Sequence, residues 1–173
     1  SDVQIFRDGA RVVTLGTDAR AVVWRSESGS VAQRLMLPAD GGHSTARVHP
    51  NGSLLVTGVS PDPLLDSPAL VWDAASGELR HRLRQPTGRM LLLEMSPCGE
   101  KLVTAGYDRD GVFLWSVATG RLDRELAMPV AWNSVVAVSS GGERVLTSAL
   151  GTIYIASGDT GSVTKELPFG DET

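Results

Sequence analysis

A chain of 173 residues is long enough to enclose a hydrophobic core and matches one ordinary domain. Hydrophobic residues make up 42% and charged residues 21%, a balance that excludes a disordered or collagen-like chain. Sixteen Lys and Arg against twenty Asp and Glu leave a net charge of −4, so no global positive field exists to hold nucleic acid or an acidic membrane surface.

Cys98 is the only cysteine, which rules out an internal disulfide and any cysteine-cluster metal site. No apolar run approaches the roughly 18 residues needed to cross a bilayer. The opening residues Ser1-Asp2-Val3 lack the basic and hydrophobic segments of an export signal. These features predict a cytoplasmic protein with no membrane segment, no cofactor and no bound metal.

Along the chain one pattern recurs four times, in segments of about 1–36, 43–85, 88–127 and 131–168. The first contains the turn Phe6-Arg7-Asp8-Gly9, a tryptophan at Trp24 and a glycine five residues later at Gly29, then apolar Val31 and Leu35. The second repeats this with His49-Pro50-Asn51-Gly52, Trp72, Gly77, Leu79 and Leu83. The third has Ser96-Pro97-Cys98-Gly99, Trp115, Gly120, Leu122 and Leu126. The fourth has Ser139-Ser140-Gly141-Gly142, with Ala156 in the tryptophan position, Gly161, Val163 and Leu167. Glycine at fixed places accepts the positive φ of tight turns. Period-two alternation in the short runs between them predicts strands, four per repeat.

The second and third strands of a repeat, for example Leu54-Leu55-Val56 and Val112-Phe113-Leu114-Trp115, are apolar on both faces. Sheets of that kind must be covered on both sides. Four in sequence, with no helical segment to cover them, are expected to stack face to face around an axis, as the blades of an all-β propeller of four-stranded antiparallel sheets.

These repeats resemble the WD40 family over essentially the whole chain. The family pattern joins a Ser or Thr in the second strand, an Asp in the following turn and a Trp ending the third strand by hydrogen bonds. Thr14, Asp18 and Trp24 reproduce it, as do Thr104, Asp108 and Trp115. The second repeat keeps Thr57 and Trp72 but carries an insertion in the turn. The fourth keeps Thr147 and has Gly151 in place of the Asp. Such propellers usually close with about seven or eight blades. Three readings follow: the segment is part of a longer chain with further blades, two copies complete one ring, or the four blades close by themselves; an open segment would expose apolar blade faces, which favours the first two.

The resemblance implies a non-catalytic module that binds a protein or peptide through loops on one end of the sheets. The alternative is an architectural or sensor segment of a larger signalling protein. The binding residues expected are Pro61, Asp62, Leu64 and Leu65 in the insertion, together with Arg89 and Trp132 at the entries to the third and fourth repeats. Prolines lower the entropy cost of presenting the leucines, and tryptophan is a frequent interface anchor. Arg80, Arg82 and Arg84 form a basic run, but nucleic-acid binding would want interleaved aromatics and a wider patch. Asp159-Thr160-Gly161 and Asn51-Gly52-Ser53 spell a protease triplet and a glycosylation acceptor, and both fall where the repeat requires a turn.

Overall fold

The computed structural model describes residues 2–16, 20–37, 45–58, 68–86, 90–106, 111–131 and 134–169, with backbone only at Leu91. All regular structure in these residues is strand. Sheet 1 holds β1 (Asp2–Ile5), β2 (Arg11–Leu15), β3 (Arg20–Arg25) and β4 (Val31–Met36). Sheet 2 holds β5 (Thr45–Val48), β6 (Leu54–Gly58), β7 (Ala69–Asp73) and β8 (Leu79–Leu83). Sheet 3 holds β9 (Met90–Met95), β10 (Lys101–Gly106), β11 (Val112–Ser116) and β12 (Leu122–Leu126). Sheet 4 holds β13 (Val136–Val138), β14 (Arg144–Ala149), β15 (Thr152–Ser157) and β16 (Val163–Pro168). Each is an antiparallel meander in chain order, so the protein is all-β and built of four blade-like sheets.

The turns sit where the glycines demand them. Between the first and second strands the amides of Gly9, Gly52, Gly99 and Gly142 donate to the carbonyls three residues back, at 2.7–3.0 Å. All four glycines have positive φ, a region that a side chain makes costly.

Each sheet has two distinct faces. One carries the Thr and Trp positions and is called here the tryptophan face; Ala156 stands there in sheet 4. The tryptophan indole Nε1 donates to the threonine Oγ1 of the neighbouring strand at 2.8 Å for Trp24 and Thr14, 3.0 Å for Trp72 and Thr57, and 2.9 Å for Trp115 and Thr104. In sheet 4 the missing indole leaves Thr147 Oγ1 to donate to the Pro129 carbonyl at 3.1 Å.

The fourth strands depart from the plain alternation expected of them. Val31 pairs with Trp24 and Leu35 with Ala21, so two residues four apart face opposite sides. A β-bulge opposite the end of the third strand inserts one residue and reverses the side of everything after it. The same register shift occurs at Trp72, Trp115 and Ala156. Leu35, Leu83 and Leu126 are thereby placed in the interior.

The chain forms two compact units, Ser1–Arg84 and Gln85–Thr173. In the first unit, Val13, Leu15, Ala21, Val23 and Leu35 from the opposite face of sheet 1 form one buried cluster with Ala46, Leu55, Leu70 and Trp72 from the tryptophan face of sheet 2. The second unit repeats the arrangement. Val103, Ala105, Val112, Leu114 and Leu126 of sheet 3 meet Val136, Val138, Val145 and Ala156 of sheet 4. Burying each of the Val and Leu side chains among them contributes about 1.5–3 kcal/mol.

In the first unit Asp2 adds a polar clasp. Its Oδ2 accepts the Ala46 amide of sheet 2 at 2.9 Å and its Oδ1 accepts the Val3 amide at 2.8 Å. Burial opposes ionisation of this carboxyl, but the amides of Ala46 and Val3 with side-chain bonds from Gln4 and Thr45 hold its pKa below the ordinary value.

Trp115 is buried and hydrogen-bonded. Trp115→Ala is expected to cost about 3–5 kcal/mol, measured by urea unfolding. Trp115→Phe should cost less, chiefly through the lost partner of Thr104, about 1–3 kcal/mol.

Candidate functional site

Pro61, Asp62, Leu64, Leu65, Arg89 and Trp132 lie outside the described residues, as do Asp18 and Asp108. The sheet positions around them are fixed. The connection 59–67 leaves β6 after Gly58 and leads to the buried Pro68, which directly precedes β7. Arg89 directly precedes β9, and Trp132 precedes β13. Of the family-type cluster, Thr14, Trp24, Thr57, Trp72, Thr104 and Trp115 are brought together pairwise by the bonds described above.

Sheet 4 presents the corresponding connection within the described residues, at a place where the sequence pattern marks no candidate. Ala149 pairs with Thr152, leaving Leu150 and Gly151 as a two-residue turn with φ of 52° and 76°. Positive φ at both positions marks a type I′ hairpin, which strongly prefers Asn-Gly or Asp-Gly. A leucine there is strained by about 1–2 kcal/mol, and its side chain is 83% exposed. The signal in the sequence is a Leu-Gly pair at the point where the hairpin spacing leaves room for only two residues.

The basic run on β8 is partly neutralised. Arg80 Nη2 donates to Asp73 Oδ2 at 2.6 Å, and Asp73 Oδ1 accepts the amides of Ala75 and Ser76 at 3.0 and 2.9 Å. The Ser76 amide, the Arg80 guanidinium and the Ala75 amide together hold the Asp73 pKa far below the carboxylate range. Asp73 therefore organises the turn after Trp72, and Arg80 is committed to it.

A polar hollow of about 630 Å³ lies in the first unit among Asp8, Arg11, Arg25, Glu27, Gln33 and Ala75. Several of its groups are engaged locally: Arg11 pairs with Asp8 at 3.3 Å, Arg25 donates to Ser30 Oγ and the Val31 carbonyl, and Gln33 donates to the Ser76 carbonyl at 2.8 Å. Among the described residues no group of three His, Cys, Asp or Glu could hold a metal, and no helix is long and apolar enough to cross a membrane. Cys98 Sγ donates to the Ser140 carbonyl at 2.6 Å within the second unit. Asn51 and Thr160 both lie in turns, closed by Gly52 and Gly161.

The depressed Asp73 pKa makes its contribution to stability pH-dependent. The ionised form is favoured in the folded chain, so this stability is present above the unfolded value of about 3.8 and is lost as pH falls below it. In thermal melts, Asp73→Asn should lie below wild type at neutral pH, and the gap should begin to narrow as pH falls through about 5 and go on narrowing toward the strongly depressed folded-state pKa. A gap that does not change with pH would remove charge from the explanation.

Neither a family model nor a curated protein matches the chain.

Proposed function

We propose that the chain is a WD40-like propeller segment that binds a protein or peptide partner through the connections between the second and third strands of its sheets. Three Thr–Trp hydrogen bonds at equivalent places and four sheets of one design support the family reading. The observation that carries the binding reading is Leu150. An exposed leucine held at positive φ in a hairpin turn weakens the fold, and strain of that kind is retained where a side chain must be presented. Leu64 and Leu65 occupy the corresponding connection of sheet 2, in a stretch with three prolines. An apolar side chain such as Leu150, raised at a sheet end, suits a peptide with its own apolar anchors.

The test begins with a random-peptide display library selected on the purified chain. Enriched peptides are then titrated against wild type, Leu64→Ala/Leu65→Ala, Trp132→Ala and Leu150→Asn. Each peptide should bind at least about tenfold more weakly to the double variant or to Leu150→Asn, each connection being scored on its own. Leu150→Asn should also gain about 1 kcal/mol of stability by relieving the strained turn, while the double variant and Trp132→Ala keep the wild-type melting temperature. Peptides indifferent to every substitution would refute the reading, and a large stability loss in the double variant or Trp132→Ala would assign those residues to the core.

A further inference from the structure

Sheet 1 carries a charge arrangement that the other sheets do not repeat. Arg11, which opens β2, pairs directly with Arg25, which ends β3, and like charges placed opposite each other destabilise a sheet. At the same rung the other sheets pair Leu54 with Asp73, Lys101 with Ser116 and Arg144 with Ser157, so each holds at most one cation there. The two arginines are served unequally. Arg11 lies over the Phe6 ring at 4.2 Å, donates from Nη2 to the Gly52 carbonyl at 3.1 Å and pairs with Asp8 at 3.3 Å; the other oxygen of Asp8 accepts the Ala10 amide at 2.9 Å. Arg25 is exposed and meets only neutral oxygens, its Nη1 donating to Ser30 Oγ at 3.4 Å and to the Val31 carbonyl at 3.3 Å.

Both arginines line the hollow of about 630 Å³, whose walls all belong to the first unit. Small-ligand sites span about 300–1,000 Å³. The hollow is built from turns that follow the first and third strands, so the antiparallel order places it at the sheet end opposite the connections after the second strands. The design of the sheets does not itself call for a hollow, because in the second unit the corresponding corner is filled. The Val117 amide donates to the Glu100 carbonyl as the Ser26 amide does to that of Ala10, yet Val117 is buried and Ser26 is exposed. Asp123 follows the residue paired with Trp115 just as Ala32 follows the residue paired with Trp24, and Lys101 Nζ pairs with that aspartate at 2.6 Å. The second unit thus supplies a carboxylate to its own corner, and in the first unit Ala32 supplies none.

We propose that this hollow binds an organic carboxylate, seated on the Nε and Nη2 side of Arg25 beside Ala32, with the stem that carries it lying against Ala74 and Ala75. A guanidinium matches a carboxylate through two parallel hydrogen bonds. One negative charge is what the lining takes. Asp8 already balances Arg11, and Glu27 on the rim is paired with neither arginine, so a doubly charged phosphate would meet two carboxylates for the one cation left to it. The inference rests on the seam between sheets 1 and 2 and is independent of the partner-binding connections.

NMR titration of the whole chain at about 20 mM ionic strength, where charge pairs are weakly screened, tests it with butyrate, the capped peptide acetyl-Gly-Gly-Glu-Gly-Gly-amide and inorganic phosphate. Butyrate or the peptide should shift the amides of Ser26, Ala32 and Ala75 along one saturating curve. Arg25→Gln should weaken that binding at least about fivefold, and Glu27→Gln should tighten it about twofold. Ala32→Asp, which places a carboxylate where the second unit has Asp123, should abolish it while the remaining amide spectrum stays folded. If Arg25→Gln fails to fold, Ala32→Asp and Glu27→Gln decide. Peptide binding more than about tenfold tighter than butyrate assigns the carboxylate to an acidic side chain, and comparable binding assigns it to a free acid; either supports the site. No saturable shift with any probe, tighter binding of phosphate than of both carboxylates, shifts spread equally over Arg34 and Arg121, or binding indifferent to Ala32→Asp would each overturn the proposal.

Discussion

The structure depends on one constraint: the middle strands of its sheets are apolar on both sides, and within each unit the two sheets must cover one another's facing apolar side. Val13, Leu15, Ala21 and Val23 on one side of sheet 1 and Leu55, Leu70 and Trp72 on one side of sheet 2 are buried only because they meet. The same holds for Val103, Val112 and Leu114 against Val136, Val145 and Ala156. No helix supplies cover among the described residues. Sheet must therefore cover sheet, and every other device in the chain serves to make that packing regular.

The Trp–Thr bond is one such device. A tryptophan brings large buried area but also an indole N–H that needs a partner. A threonine on the neighbouring strand supplies that partner without interrupting the ladder, since Thr14 and Thr57 sit in β2 and β6 with their backbone pairing intact. Loss of the tryptophan in sheet 4 is tolerated because Ala156 is still enclosed, with Val138, Val145 and Tyr154 in the same cluster, and because Thr147 finds the Pro129 carbonyl instead. The β-bulge beside each tryptophan position is the other device. By reversing the side of the fourth strand it delivers a leucine to the face opposite the tryptophan, so one short strand serves both faces.

Polar groups are handled locally. Asp2 is held ionised by backbone amides at the seam between two sheets, and Asp73 is held ionised at a turn. Each charge is absorbed by nearby geometry, as is that of Arg80. Large apolar side chains are also exposed: Leu150 on a strained hairpin, Val3 and Ile5 on sheet 1, and Val135 and Leu167 on sheet 4.

Four glycine-closed turns, the tryptophan spacing and the two-faced apolar strands were legible in the sequence because they are local demands: positive φ, the reach of an indole, and the period of a strand. They determined the strand count and the meander order, while the Thr–Trp pairs were an expectation carried by the resemblance to the WD40 pattern. The bulges were not legible, since an extra residue in a strand leaves no mark in composition and shows only when the partner strand sets the register. Nor was the strain at Leu150, which arises when the pairing of Ala149 with Thr152 leaves two residues to turn the chain. The direction in which the sheets mate was also hidden, because Val3 and Ala46, or Leu35 and Leu167, look alike as letters. Which of them is enclosed and which faces water depends on the neighbouring sheet, and only tertiary packing decides that.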